Sequence, residues 1–530
     1  MSTNLIPVID LFAGPGGLSE GFATARNARG ERIFEIVASF EKDPLACATL
    51  KFRSAFRANK NSEFKELLYS VMRNELSLNE AFALSNRFAS AYKKASAHIH
   101  EIELGPDTHK LVNSHIRNAL KGREDWILIG GPPCQAYSIA GRSRMRPVDP
   151  EKFEQDSRHS LYIEYLRILA KFRPSIFVME NVKGILTSKL NGESTFQKIL
   201  NDLENAFGKN SYTIRSLVSD KEQPEMNEFI VRSENYGIPQ KRHRVILLGI
   251  RRDLHSDALS RGINPQELTL DECADFTSIS SVLKDLPKIR SGLSSYRGCR
   301  RDGGGHDEWL AALRRSTQGL VTWRSPIRTS LREQMLGAIV GATLVTQTGG
   351  PFVKWGRNST MRSKGKLVRD WYNDENLSGV TNHESRLHME TDLHRYLFVS
   401  CFTKLQGFSP KLTDFPGRML PDHQNIKSDG ETPFADRFRA HIASAPANTI
   451  TSHLSKDGHA NIHFDPAQCR GLTVREAARI QTFPDNYYFM GSRTEQYKQV
   501  GNAVPPLLAK HIAQTIARFL SKGKRIRRLI

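Results

Sequence analysis

The chain predicts an α/β fold: a doubly wound, mostly parallel sheet with a smaller domain inserted into it. Three observations predict it. Short apolar runs with the length and branching of buried strands recur at residues 5–9, 33–40, 126–129 and 175–179. Each run stops at a polar residue or a Gly-Pro corner, where open α/β sheets place their ligands: Asp10, Glu41, the corner Gly130-Gly131-Pro132-Pro133, and Glu180. Helical stretches separate the runs. In one of them, over Ser160–Phe172, Leu161, Tyr165, Leu169 and Phe172 fall on a single stripe and Pro174 marks the exit.

After the first strand comes Asp10-Leu11-Phe12-Ala13-Gly14-Pro15-Gly16-Gly17-Leu18. Glycines there let the backbone turn sharply and approach a ligand, and residues 18–25 open a helix. The third spaced glycine of a dinucleotide fingerprint is missing, as is the Lys-Ser/Thr pair of a phosphate loop, so pyrophosphate is not the expected guest. The second strand ends at Glu41, where an acid can grip ribose hydroxyls. A nucleoside-bearing cofactor without a diphosphate is expected, and S-adenosyl-L-methionine fits.

Residues 63–95, rich in Ala, Leu, Lys and Glu, read as helices inserted between the second and third strands. The run at 126–129 then delivers Pro132-Pro133-Cys134-Gln135, a thiol on a stiff corner where a nucleophile is expected. A cysteine in a tight loop also serves as a small packed side chain. Glu180-Asn181-Val182 follows the next run, and a lone Glu there can be a cap or an ion-pair partner. Two strand ends bringing a thiol and a carboxyl to one edge favour a reactive site. In Gln240-Lys241-Arg242-His243-Arg244, residues 240, 242 and 244 point to one face of an extended strand, a row of donors for a base carbonyl or phosphate. The alternative is a basic strand edge that discourages aggregation.

Lys plus Arg number 76 against 56 Asp plus Glu, a net charge of +20, which favours a polyanionic partner through phosphate contacts. No stretch approaches the apolar length of a membrane span, and no secretory signal precedes the first strand, so the cytoplasm is expected. The six cysteines form no CxxC pair, against a disulfide framework or a zinc site.

These blocks, with Arg470-Gly471-Leu472-Thr473 through Phe483-Pro484-Asp485 and Gln499-Val500-Gly501-Asn502, resemble the cytosine-C5 DNA methyltransferases of bacterial restriction-modification type. The resemblance implies an S-adenosyl-L-methionine-dependent, Rossmann-like catalytic fold. It makes Cys134 the nucleophile that adds to cytosine C6, Glu180 the carboxyl at N3, Arg244 the contact to O2, and Arg242 their support at the loop and nucleic acid. Phe12, Gly14, Gly16, Gly17, Glu41, Pro133 and Asn502 match the family's cofactor contacts. Its acid near adenine has no clear counterpart; Glu103 and Asp107 lie nearby in sequence. No metal is implied.

By the same resemblance, residues 1–285 are the catalytic and cofactor-binding domain with a helical insert at about 51–123. Residues 286–469 are a target-recognition domain of mixed short strands and turns, and 470–530 return to complete the catalytic domain. Arg300, Arg301, Arg314, Arg315, Arg324, Lys354, Arg357, Arg362 and Lys364, with Trp309, Trp323 and Trp355, are candidate DNA contacts. The expected partner is duplex DNA, bound by a monomer in the cytoplasm at the nucleoid, with a restriction endonuclease as genetic partner. A tRNA cytosine-C5 methyltransferase and a catalytically silent DNA-binding regulator are the competing readings.

Overall fold

Strand β1 (Ile6–Leu11) lies in the middle of an eight-stranded sheet, flanked by β2 (Phe34–Glu41) on one side and β4 (Ile127–Gly130) on the other. The computed structural model describes residues 5–133, 160–190, 193–294, 305–356, 365–421 and 435–522. With β3 (Ile99–Glu101), β5 (Ile176–Val182), β6 (Tyr212–Arg215), β7 (Ile230–Arg232) and β9 (His243–Arg251), the order is β3-β2-β1-β4-β5-β9-β6, and β7 also pairs with β9. Strands β1 to β5 are mutually parallel; β9 runs antiparallel to its neighbours. The chain winds outward from β1 to β3, then restarts at β4 on the other side. The switch point between β1 and β4 is therefore the crevice where this sheet class takes its ligands.

Both faces of the sheet are covered, which explains the near-continuous apolar strands. Val8, Ile129 and Val178 meet Leu18 and Phe22 of α1 (Gly17–Thr24) together with Leu508, Ile512 and Ile516 of the last helix. Ile9, Leu128 and Phe177 meet Val112 and Ile116 of α6 (His109–Leu120) and Tyr165 and Leu169 of α7 (Ser160–Phe172).

The inserted helices α2 (Pro44–Ala58), α3 (Ser62–Met72), α4 (Leu78–Leu84) and α5 (Asn86–Ser96) lie between β2 and β3. Asp43 caps α2, accepting from Leu45 and Ala46 N–H, and Ser77 with Glu80 forms a capping box on α4. Three residues are too few to show a strand period, so β3 at the sheet edge was not legible in the sequence. Phe52, Phe56, Leu68, Met72 and Phe88 share a core with Leu377, which bolts the insert to the second domain.

That second domain differs from expectation. Rather than short strands and turns, its core is α8 (His306–Ser316), α9 (Arg328–Ala342) and α10 (Glu390–Gln406) around Trp309, Leu313, Leu331, Met335, Leu393, Leu397 and Phe398. The i, i+4 repeats Trp309/Leu313, Leu331/Met335 and Leu393/Leu397 carry the helices. The one hairpin of that domain among the described residues joins β10 (Gly349–Lys354) to β11 (Gly379–Glu384). The chain returns through β12 (Ala447–Asn448), α11 (Val474–Ile480), α12 (Arg493–Asn502) and α13 (Pro506–Lys522). A Cβ at Gly21 would fall 2.4 Å from that of Ala509, so the glycine lets α13 seat against α1.

Candidate active site

The turn after β1 is built from left-handed backbone: Phe12 has φ 55°, Gly14 φ 54° and Gly16 φ 95°. Glu41 steadies it, its carboxylate accepting from Gly14 N–H at 2.8 Å and from Lys42 and Asp43 N–H at 2.9 Å each. The three glycines do different work. Beside Gly14 a Cβ would meet nothing within 4 Å, so open space lies there; Gly16 is crowded by Leu50 and the Tyr487 hydroxyl; at Gly17 a Cβ would strike Val504 O at 2.1 Å. Gly17 therefore lets the returning chain pack closely against the start of α1. Val504 follows Asn502, which is exposed at the end of α12 and so arrives at the turn's edge.

Asp10 lies beneath this turn with no solvent exposure, and neither carboxyl oxygen finds a hydrogen bond of good geometry, although Ser19 is near. Burial pushes its pKa up to about 8. An unsatisfied buried acid below an open, glycine-lined turn is the local chemistry expected where a cationic, nucleoside-bearing donor sits. S-adenosyl-L-methionine fits this turn. At the strand edge, register places Glu101 beside Glu41, so two carboxyls face the same end of the cleft. Glu103 pairs with Lys42 at 3.0 Å on the surface, and Asp107 sits in the short turn Pro106–Thr108. Glu101 escaped sequence reading because its strand did.

Across the switch point, β4 ends at Gly130 and the chain passes Glu180: a Cβ at Gly131 would be 3.0 Å from Glu180 Oε2. Pro132 is buried and Pro133 half-buried; Cys134 lies outside the described residues. Of the described thiols, burial pushes Cys47 and Cys401 up to about 12, unsuited to nucleophilic work. Glu180 lies inside β5, not at its exit, because antiparallel β9 extends the ladder: Ile246 pairs with Glu180 and Arg244 with Val182. Arg244 Nε forms an ion pair with Glu180 Oε1 at 2.8 Å, while its Nη1 donates to His243 O at 2.9 Å. A carboxylate and a guanidinium thus meet on two adjacent strands, beside the Pro-Pro corner.

The expected row of donors at 240, 242 and 244 does not hold together. Arg242 is buried and donates to Ile450 O at 2.9 Å and Gly501 O at 3.3 Å; burial and the like charge of Arg244 push its pKa well down. Gln240 bonds Gln481 Oε1 at 2.9 Å and accepts from Ile450 N–H at 2.7 Å. Strand β8 (Gln240–Lys241) pairs with β12, and the side chains of Gln240 and Arg242 both bind the returning chain. Arg242 is engaged by the returning chain, and Arg244 alone of the three pairs with Glu180.

Several expected DNA contacts are likewise engaged inside the protein. Trp309 is buried with its indole N–H on Ser291 Oγ at 2.9 Å, Trp323 packs edge-on to Phe398, and the Trp355 ring lies under Arg479. Arg315 makes a two-pronged pair with Glu390 at 2.6 and 2.8 Å. Arg314, Arg324 and Lys354 are exposed, and Arg300, Arg301, Arg357, Arg362 and Lys364 lie outside the described residues.

Sheet, switch-point crevice and donor turn define a Rossmann-like methyltransferase. The C-5 cytosine-specific DNA methylase family matches residues 75–518, and the chain belongs to it. A type II methyltransferase of Bacillus paralicheniformis, M.Bpa9945I, is 33% identical over 96% of this chain and 98% of its own. M.DdeI, a type II methyltransferase of Desulfomicrobium norvegicum, is 25% identical over 96% of this chain and 88% of its own. M.ApeKI, a DNA (cytosine-5-)-methyltransferase of Aeropyrum pernix, is 25% identical over 76% and 83%. The enzyme is a DNA (cytosine-5-)-methyltransferase. Among the described residues no helix is long and apolar enough to cross a membrane.

Proposed function

We propose that the enzyme methylates C5 of a cytosine rotated out of a specific duplex DNA sequence, through a transient bond between Cys134 and cytosine C6. The observation that carries this is the Arg244–Glu180 pair held beside the corner that leads into Cys134, across the switch point from the donor turn. C5 is a poor nucleophile until a thiolate adds at C6 and makes the ring an enamine. Glu180 at N3 and Arg244 at O2 hold the ring as charge builds on it. S-adenosyl-L-methionine supplies an electrophilic methyl group. Phe12, Gly14 and Gly16 shape the turn that takes the donor, Glu41 and Glu101 face its nucleoside end, and Pro133 and Asn502 close the sides. Loss of the C5 proton then expels Cys134 and restores the aromatic ring. Rotating the base out of its stack costs a few kcal/mol, which contacts from the recognition domain must offset.

The type II relatives support a protective role in a restriction-modification system; on this reading the enzyme acts as a monomer in the cytoplasm, with a cognate endonuclease as genetic partner. Bisulfite sequencing of DNA from an expressing host gives the target sequence. A duplex carrying 5-fluorocytosine at that position, incubated with S-adenosyl-L-methionine, should then trap the protein at Cys134. Cys134→Ala should lose both trapping and methyl transfer while still binding DNA. Transfer of labelled methyl to tRNA alone, or to neither nucleic acid, would replace this reading by the RNA enzyme or the silent regulator.

A further inference from the structure

We propose that Tyr487 is a positioning residue for the donor turn, and that Arg475 ties it to strand β11 of the recognition domain, an inference resting on the donor-site reading above. Three left-handed residues within five make the turn a conformation its neighbours must impose, since Phe12 has no glycine's freedom. Backbone bonds from Ala13 N–H to Phe40 O at 3.1 Å and from Gly16 N–H to Ala13 O at 2.9 Å hold its start and its close. Between them the Pro15 carbonyl accepts a hydrogen bond from the Tyr487 hydroxyl, reaching in from the far end of the chain. With that oxygen pinned inward, the peptide plane cannot flip and offer a carbonyl to the donor. Gly16 is the complement of this contact: a Cβ there would lie 2.9 Å from the Tyr487 oxygen.

Tyr487 has no room to swing away. It is buried, the Arg53 guanidinium lies 4.9 Å over its ring, and Phe483 and Phe489 pack at 4.7 and 5.4 Å. Its backbone carbonyl accepts from Arg475 Nη2 at 2.7 Å. The same buried guanidinium donates to Thr381 O at 2.9 Å and Thr381 Oγ1 at 2.6 Å, on β11. A rigid fork therefore joins the recognition strand to the residue that fixes the donor turn.

Calorimetric titration of S-adenosyl-L-homocysteine into the full chain tests this, with the Michaelis constant for S-adenosyl-L-methionine measured on unmethylated genomic DNA. Tyr487→Phe keeps the packing and strands a buried carbonyl; it should weaken binding roughly tenfold and raise the donor KM in step, with the DNA KM unchanged. Thr381→Val, in the other domain, should weaken donor binding by about two- to threefold. Donor affinity within error of wild type in both variants overturns the inference alone. Should Tyr487→Phe fail to fold, the Thr381→Val titration decides. A wild-type protein that binds no S-adenosyl-L-homocysteine overturns the donor-site reading and this inference with it.

Discussion

Arginine and carboxylate meet twice in this enzyme to opposite effect. In the cleft, Arg244 and Glu180 touch through one contact, their side chains 15% and 14% exposed. Where the chain returns after residue 469, Arg470 and Glu476 are 0% and 2% exposed. Arg470 grips both oxygens of Glu476 at 2.7 Å and also donates to Ile289 O, Gly471 O and Gln468 Oε1; Glu476 accepts from Thr473 N–H. The first pair keeps free valences, as the proposed contact with the base requires. The second satisfies itself and holds two segments of chain together. The same chemical pair is a site or a rivet depending on how many of its hydrogen bonds the protein already makes.

The sharpest way to break that comparison is to remove one partner of each. Burial raises the Glu476 pKa, but Arg470 and His463 pull it further down, so it is ionised in the fold and its loss strands a buried guanidinium. Glu476→Ala should cost about 3–5 kcal/mol in chemical denaturation, with normal turnover per folded molecule. Glu180→Ala should do the reverse: methyl transfer falls by about 10²–10³, as when a group that stabilises developing charge is lost, while the denaturation midpoint barely moves. Equal stability losses in the two variants would erase the distinction.

Acid separates the two regions next. Burial pushes His383, His441 and His463 at the junction down to about 4 and His388 to about 3. Their folded values lie below the unfolded 6.5, so the stability they allow is complete above pH 6.5 and lost as pH falls toward 4. Asp10 acts in the opposite sense: its raised value, about 8, favours the fold at low pH and costs stability as pH climbs from 4 to 8. Four such groups outweigh one, so acid destabilises the fold on balance between pH 6.5 and 5. Denaturation curves should show net destabilisation over that window.

The sheet was legible because buried parallel strands declare themselves as apolar runs, and the turn because glycines supply two of its three left-handed residues. Glu41 at the end of β2 followed from the same logic, whereas Glu180 proved internal to β5 because β9 extends its ladder. What sequence could not show was which polar residues are consumed internally. Arg242 and Gln240 carry the alternation of ligand-facing donors, yet their partners Ile450, Gln481 and Gly501 lie some two hundred residues away. Glu101, on a strand too short to show a period, and Tyr487, acting across nearly the whole chain, left no local signal. The glycine clusters between residues 286 and 469 drew attention to turns and away from the helical repeats of α8 to α10.

The smallest expected effect tests that lesson on a single side chain. By composition Arg315 belongs with the arginines that would grip phosphate. In the fold its guanidinium lies across Glu390 in two bonds, at the surface, with side chains 48% and 37% exposed. Solvent screens such a pair, so Arg315→Ala should cost only about 0.2–1 kcal/mol of stability. A phosphate contact would show itself differently, because each one lost lowers the salt dependence of DNA binding by about one in log-log slope. For Arg315→Ala the slope should stay that of wild type, since the guanidinium already has its carboxylate. A slope reduced by one would mean that the pair opens on DNA, and that an ion pair at this surface is as available to substrate as the one in the cleft.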